Sequence, residues 1–143
     1  MPATLVYGQE DRLLPWAAAR NGVSGFRRDA YAIGLERDGD LCAVVVFDDF
    51  SECNVNMHIA SDGTKRWMNK DLLIAAFAYP FVQLGLRRVT GLVPSRNAQA
   101  LSFDEHLGFV REGLCRHGFP DDDMVVLGLL RADCRFIPKE YRR

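Results

Sequence analysis

The residues of this chain that could do chemistry are few and lie close together. His58 stands in a stretch, 54–60, where Val55, Met57 and Ile59 alternate with Asn56, His58 and Ala60. Such alternation marks a strand with one apolar and one polar face, and His58 belongs to the polar one. A histidine titrates near 6.5 and can take up a proton at neutral pH; a surface or hydrogen-bonded structural histidine looks the same in sequence. Asp48, Asp49 and Glu52 lie near the mouth of the same hairpin. Asn97 falls between a strand and a helix, where its side chain either caps the helix or reaches a ligand's amide. Lys65 and Arg66 precede a long helical pattern, as charge for a phosphate or as a solvated helix start. Asp121, Asp122 and Asp123 form an acidic turn that could attract a cation, although such turns are usually just solvated. His106 and His117 are isolated, and Cys42, Cys53, Cys115 and Cys134 form no CxxC pair, so no metal site is expected. Reduced thiols in a cytoplasmic protein are the plain reading.

The elements that must position these residues follow from hydrophobic period and turn chemistry. A first strand is expected over 4–7. A helix should follow over 10–20, with Pro15 tolerated only near its first turn and Asn21-Gly22 as its stop. Two β-rich runs, 31–37 and 41–48, flank Asp38-Gly39-Asp40, a strong hairpin signal. The second run is apolar on both faces, as in a central strand. After the strand at 54–60, a long helical pattern runs to Leu84, with Leu72, Leu73, Ala76, Phe77, Pro80, Phe81 and Leu84 on one stripe. Pro80 should kink or shorten it, and Gly85 closes it. A strand at 88–93, a helix at 97–107 stopped by Gly108, and two strands at 109–116 and 124–131 complete the order. The tail from 132 shows no pattern. This is one α/β domain, 1–143, with a mixed sheet covered by helices.

The unit from Arg87 to Glu112 carries a resemblance. Asn97, Ala100, Phe103, Gly108 and Phe109 fit the Asn-x-x-Ala-x-x-(Leu/Phe)-x-x-x-x-Gly-Phe signature of the GNAT superfamily of acyl-CoA-dependent N-acetyltransferases. Glu112-Gly113, Arg116, the closing Leu-Gly-Leu-Leu-Arg and the helix end Ala-Tyr-Pro-Phe-Val-Gln-Leu-Gly-Leu-Arg-Arg-Val resemble the branch that acetylates ribosomal-protein N-termini. Element order agrees from about 31 to 131. The resemblance implies a twisted, mainly antiparallel sheet with helices on both faces. It also implies acetyl-CoA as co-substrate, lying between the strands at 54–60 and 88–93. An amine would attack the thioester directly, with the amine belonging to a protein N-terminus or a small molecule. Ile59, Ala60 and Ser61 would pair with the pantetheine arm, and Asn97 and Phe103 would contact it. Lys65, Arg66, Trp67 and Asn69 would meet the pyrophosphate and adenine. His58 would be the base that leaves the amine neutral, with Glu52, Asp48 and Asp49 as alternatives.

Two departures from the family pattern stand out. Lys65 and Trp67 occupy the positions of the two glycines in the pyrophosphate loop, where side chains crowd the approach. Asp104 stands where many members place a proton-donating tyrosine, and a carboxyl with a pKa near 3.9 is a poor acid at pH 7. These departures give weight to an alternative, a GNAT-shaped binding or assembly module without catalysis. A homodimer is compatible with either.

Composition fits an ordinary globular chain: 143 residues, 48% hydrophobic and 26% charged. With 18 basic and 19 acidic side chains the net charge is -1, which provides no field for nucleic acid. The longest mainly apolar run, 72–84, falls short of the roughly 20 residues of a membrane span. The N-terminal residues carry no basic start ahead of an apolar core, so no secretory signal is expected.

Overall fold

The structure, a computed structural model, describes residues 2–64 and 69–143. In chain order the strands and helices are β1 (Thr4–Val6), α1 (Glu10–Asn21), β2 (Tyr31–Arg37), β3 (Asp40–Asp48), β4 (Asn54–Ser61), α2 (Lys70–Ala78), β5 (Arg88–Pro94), α3 (Ala98–Leu107), β6 (Val110–Phe119) and β7 (Asp122–Leu130). The strands form one sheet in the order β1-β2-β3-β4-β5-β7-β6. All neighbours are antiparallel except β4 and β5, which run parallel. Mixed, mostly antiparallel pairing with helices on both faces is the expected architecture.

Turn chemistry sets the first hairpin. Asp38 and Gly39 both have positive φ (52° and 83°) and Arg37 pairs with Asp40, a two-residue turn whose twist suits the flanking strands. β3 is buried from Cys42 to Asp48, because the sheet is covered on both sides here. On one face Phe47, Val55, Val89 and Leu127 pack against Leu72, Phe77 and Phe81 of the α2 region and Leu101 and Leu107 of α3. On the other face a smaller cluster, Val44, Val46, Ala32 and Ala60, receives Leu13 and Ala17 of α1.

Four sequence expectations need correction. Pro15 lies in the second turn of α1 rather than the first, and it removes the amide that would bond the Asp11 carbonyl. The long helical stripe ends early: α2 stops at Ala78 and a π turn, Tyr79–Gln83, carries Pro80, leaving Leu84 exposed. The ring of Pro80 cannot continue the regular ladder, and the wider turn accommodates it. The alternating face of β4 is not wholly polar, since Ala60 is buried under α1. The tail is ordered: Cys134 and Ile137 are buried, Phe136 stacks on Phe77 at 5.2 Å, and the Arg131 guanidinium donates to the carbonyls of Gly85, Leu86 and Arg143. Short 3-10 turns at Arg131–Asp133 and Lys139–Tyr141 leave no period to read. Among the described residues no helix is long and apolar enough to cross a membrane.

Candidate active site

β4 and β5 stay together for only three pairs: Asn54 with Arg88, Val55 with Val89, and Asn56 with Thr90. Beyond Asn56 and Thr90 both strands continue, β4 to Ser61 and β5 to Pro94, without pairing. Each keeps its other neighbour, β3 or β7. The sheet therefore opens into a gap between its central strands, with the β5-facing backbone of residues 57–61 lacking a strand partner. An extended chain of amides could pair with that edge.

His58 lies two residues past the last pair, on the α1 face, since it stands opposite Val46. Its Nε2 is 2.7 Å from Asp48 Oδ1, and its ring lies 5.4 Å from that of Phe26. Asp48 Oδ2 accepts from the Arg27 N–H. Burial pushes the Asp48 carboxyl up, but the His58 hydrogen bond and charge, with the Arg27 N–H and guanidinium, outweigh it and hold the carboxyl below its ordinary value. An ionised Asp48 fixes the Nε2–H tautomer and leaves Nδ1, which has no partner among the described residues, as a proton acceptor.

Asp104 lies on the opposite face. Gly91 is the first β5 residue past the last pair, and a Cβ built on it would stand 3.2 Å from Asp104 Oδ2 and 3.7 Å from Phe109. Glycine here lets α3 bring a carboxyl against the strand beside the gap. The Asp104 carboxyl has no hydrogen-bond partner among the described residues, and burial pushes it up to about 7. The sequence expectation of an ionised Asp104 at neutral pH is thus corrected. A carboxyl that loses water without gaining a partner favours its neutral form.

The other expected site residues are dispersed around the gap. Ile59 is half-buried against the larger core, and Ala60 is buried in the smaller one. The Ser61 hydroxyl accepts from the Gly63 N–H at 3.3 Å. Asn69 caps α2, accepting from Leu72 N–H, and Asn97 caps α3, accepting from Ala100 N–H, each at 3.1 Å. Asn97 therefore performs the capping role and sits just beyond β5, at the open end. Phe103 is half-buried against the core. Lys65, Arg66 and Trp67 lie outside the described residues. Glu52 is exposed in the turn before β4, at the end where β4 and β5 are still paired, and is not brought to the gap with His58. Asp49 is also exposed there, 3.6 Å from Arg27.

A seven-stranded sheet parted between parallel neighbours is the deciding geometry, and comparison agrees with it. Among solved structures, the chain is similar to a point mutant of spermidine N-acetyltransferase SpeG from Vibrio cholerae, with a TM-score of 0.75, 15% identity, and coverage of 96% of this chain and 98% of that one. It is similar to the same enzyme in complex with manganese ions (TM-score 0.73, 17% identity, covering 90% and 92%) and to its dodecameric structure (0.73, 16%, 90% and 93%). The chain has the GNAT fold. No family model and no curated protein matches the sequence. These structures are spermidine N-acetyltransferases and do not support the expected likeness to the ribosomal-protein branch. Within the GNAT fold, the gap with His58 on one side and Asp104 on the other is the feature with chemical potential. Sequence reasoning placed Asp104 at the proton-donor position but read it as ionised, because nothing adjacent in the chain reports its burial; Gly91 on the facing strand was the available signal.

Proposed function

We propose that this chain is an acetyl-CoA-dependent N-acetyltransferase acting on a primary amine, in the cytoplasm and as a homo-oligomer. The observation that carries this reading is the gap past Asn56 and Thr90, with a histidine–aspartate pair on one face and a protonatable carboxyl on the other. The spermidine enzymes with the same fold support an amine acceptor, and the dodecameric one supports assembly. Acetyl-CoA supplies the acetyl thioester. The unpaired edge of Ile59, Ala60 and Ser61 fits its chain of amides, and Lys65, Arg66 and Trp67 with the α2 N-terminus at Asn69 take its phosphates and adenine. Asn97 and Phe103 bound the open end of the gap.

His58 Nδ1 removes the proton from the amine as its nitrogen bonds to the acetyl carbon and the carbon–sulfur bond breaks. Asp104 delivers a proton to the departing sulfur. Asp48 stabilises the imidazolium that forms. Holding amine and thioester on the two sides of one gap supplies most of the rate, and each proton transfer contributes a further factor of about 10²–10⁴ at most.

Thermal-shift titration with acetyl-CoA, CoA and ATP, followed by thiol release with a panel of amines, tests this. At 100 times the dissociation constant a ligand stabilises a fold by about 2.7 kcal/mol. A shift with acetyl-CoA and CoA but not ATP is expected. No shift at millimolar acetyl-CoA would replace the enzyme with a non-catalytic binding module.

A further inference from the structure

The gap has a supported end, where β4 and β5 pair, and an open end, where they do not. From Gly91 to Pro94 the β4 side of β5 has no strand partner among the described residues. β7 alone holds that wall, through pairs running from Gly91 with Leu127 to Pro94 with Met124. Beyond Pro94 the chain must reverse within Ser95, Arg96 and Asn97 to enter α3. Two backbone bonds close this turn, Asn97 N–H to the Pro94 carbonyl and Ala98 N–H to the Arg96 carbonyl, each at 2.9 Å. Both are local, and neither ties the turn to the sheet.

That tie comes from the β6–β7 hairpin. Asp122, the first residue of β7, accepts from the Ser95 hydroxyl at 2.5 Å with Oδ1 and from the Arg96 N–H at 2.8 Å with Oδ2. Oδ1 also accepts from the Asp123 N–H at 2.7 Å, and the Arg96 guanidinium lies 4.0 Å away. The next residue adds a backbone bond, from the Ser95 N–H to the Asp123 carbonyl at 3.0 Å. Asp123 Oδ1 accepts from the His117 N–H at 2.9 Å, where β6 leaves its regular register at a positive φ of 56°. The Ser95 hydroxyl, followed by the Arg96 and Asp123 N–H groups, holds the Asp122 carboxyl below its ordinary value. Two of the three aspartates of the acidic turn are therefore engaged by donors, while Asp121 beside them is exposed.

A carboxylate that gathers donors from two distant segments fixes their separation. Here one segment is the hairpin and the other is the turn that carries Asn97. The hairpin thus sets where the open end of the β5 wall stands. The far half of α3 is anchored separately, since Leu101, Leu107 and Phe109 are buried and Gly108 closes the helix. Asp104 belongs to that half. Loosening the turn shifts Asn97 and the start of α3 but leaves Asp104 over Gly91.

Resting on the proposed acetyl-CoA reading, we infer that Asp122 is a positioning residue: acting from outside the gap through Ser95 and Arg96, it sets the affinity of the open end for the acyl-CoA chain and takes no part in the transfer. Three variants test it. Asp122→Ala removes the tie, Asp122→Asn keeps one acceptor oxygen, and Asp121→Ala changes only the neighbouring charge. The readouts are the calorimetric Kd for CoA, the KM for acetyl-CoA and for the amine, kcat at saturation, and the melting temperature.

Asp122→Ala should weaken CoA binding and raise the acetyl-CoA KM about tenfold. It should leave kcat and the amine KM within about twofold, the pattern of lost binding without lost chemistry. Asp122→Asn should fall between, and Asp121→Ala should match the wild type. Ser95→Ala should give a smaller loss that disappears in an Asp122→Ala background, since both act through one contact. An equal loss in Asp121→Ala would overturn the assignment in favour of a general charge effect. A fall in kcat with KM unchanged would overturn it too, because the chemistry and not the cofactor would then depend on the turn. If Asp122→Ala does not fold, Ser95→Ala decides, and CoA affinity equal to wild type removes the proposal. A wild type that binds neither CoA nor acetyl-CoA removes the acetyltransferase reading and this inference together. CoA binding that is equal in wild type and a folded Asp122→Ala removes the inference alone. Binding weakened in Asp122→Ala, without thiol release from any amine, removes the chemistry and retains the role of Asp122.

Discussion

Asp48 and Asp104 are the same residue type, both largely withdrawn from water beside the same gap, yet they are driven in opposite directions. Asp48 meets the His58 ring and the Arg27 N–H, and these partners keep it ionised despite burial. Asp104 lies over Gly91, where a Cβ would stand 3.2 Å from its Oδ2, and with no donor among the described residues to compensate for burial it moves to about 7. Burial alone does not determine the charge of a carboxyl; the partners supplied after desolvation do. One sheet thus holds an ionised carboxylate on its α1 face and a protonatable carboxyl on its α3 face, the division of labour that the proposed transfer from an amine to a thiolate would use.

The strongest way to break this comparison is to remove the base. His58→Ala should lower kcat by about 10²–10⁴ near neutral pH, with the deficit shrinking as pH rises and the amine loses its proton unaided. A pH–rate profile of both proteins checks this. Equal profiles would eliminate His58 from the chemistry.

Asp104→Asn should have a smaller kinetic effect, about tenfold in kcat, because a thiolate of pKa about 8.5 leaves with modest help. The high-pH limb of the rate profile, where Asp104 gives up its proton, should disappear. Stability gives an independent readout. A carboxyl whose folded pKa is raised binds more protons folded than unfolded between about 4 and 7, so wild-type stability falls as pH rises through that window. Asp104→Asn removes that slope, and its advantage in denaturant titrations should grow to a few kcal/mol by pH 8.

For Asp48 the sign is reversed. Its depressed pKa contributes stability that is present above the unfolded value of about 4 and lost as pH falls through the lower folded value. Asp48→Asn keeps an oxygen for His58 Nε2–H but loses the charge. It should lower kcat by a factor of several and reduce the acid-side fall in melting temperature below about pH 4, of which Asp122 retains a share. A melting curve at pH 3 to 6 that matches wild type would mean the pair contributes no charge interaction.

Much of the fold was legible because the signals were local. The Asp38-Gly39 turn, the doubly apolar β3, the alternation from Val55 to Ile59, and the Asn97 and Gly108 helix ends each lie within a few residues of what they specify. His58 and the gap were legible through alternation and the resemblance around Asn97. What the chain could not show locally was pairing across distance. The turn at Ser95 and Arg96 is held by Asp122, 27 and 26 positions away. The ordering of the tail depends on Phe136 reaching Phe77. Glu52, near His58 in sequence, is carried to the opposite end of the strand by the extended backbone.

The finest test of the two-carboxylate contrast lies at Gly91. A methyl there would stand 3.2 Å from Asp104 Oδ2 and 3.7 Å from Phe109, closer to the oxygen than most Cβ contacts and ordinary against the ring. The backbone φ is not positive, so no conformational strain accompanies the change. Asp104 is largely but not fully buried and can swing a few tenths of an ångström toward solvent, whereas the buried Phe109 cannot. Gly91→Ala should therefore cost less than about 1 kcal/mol. It should also let water back to the carboxyl, moving the high-pH limb of the rate profile downward. A limb moved upward instead would show that the added methyl deepens the desolvation, and that contact with β5, more than distance from water, sets the proton affinity of Asp104.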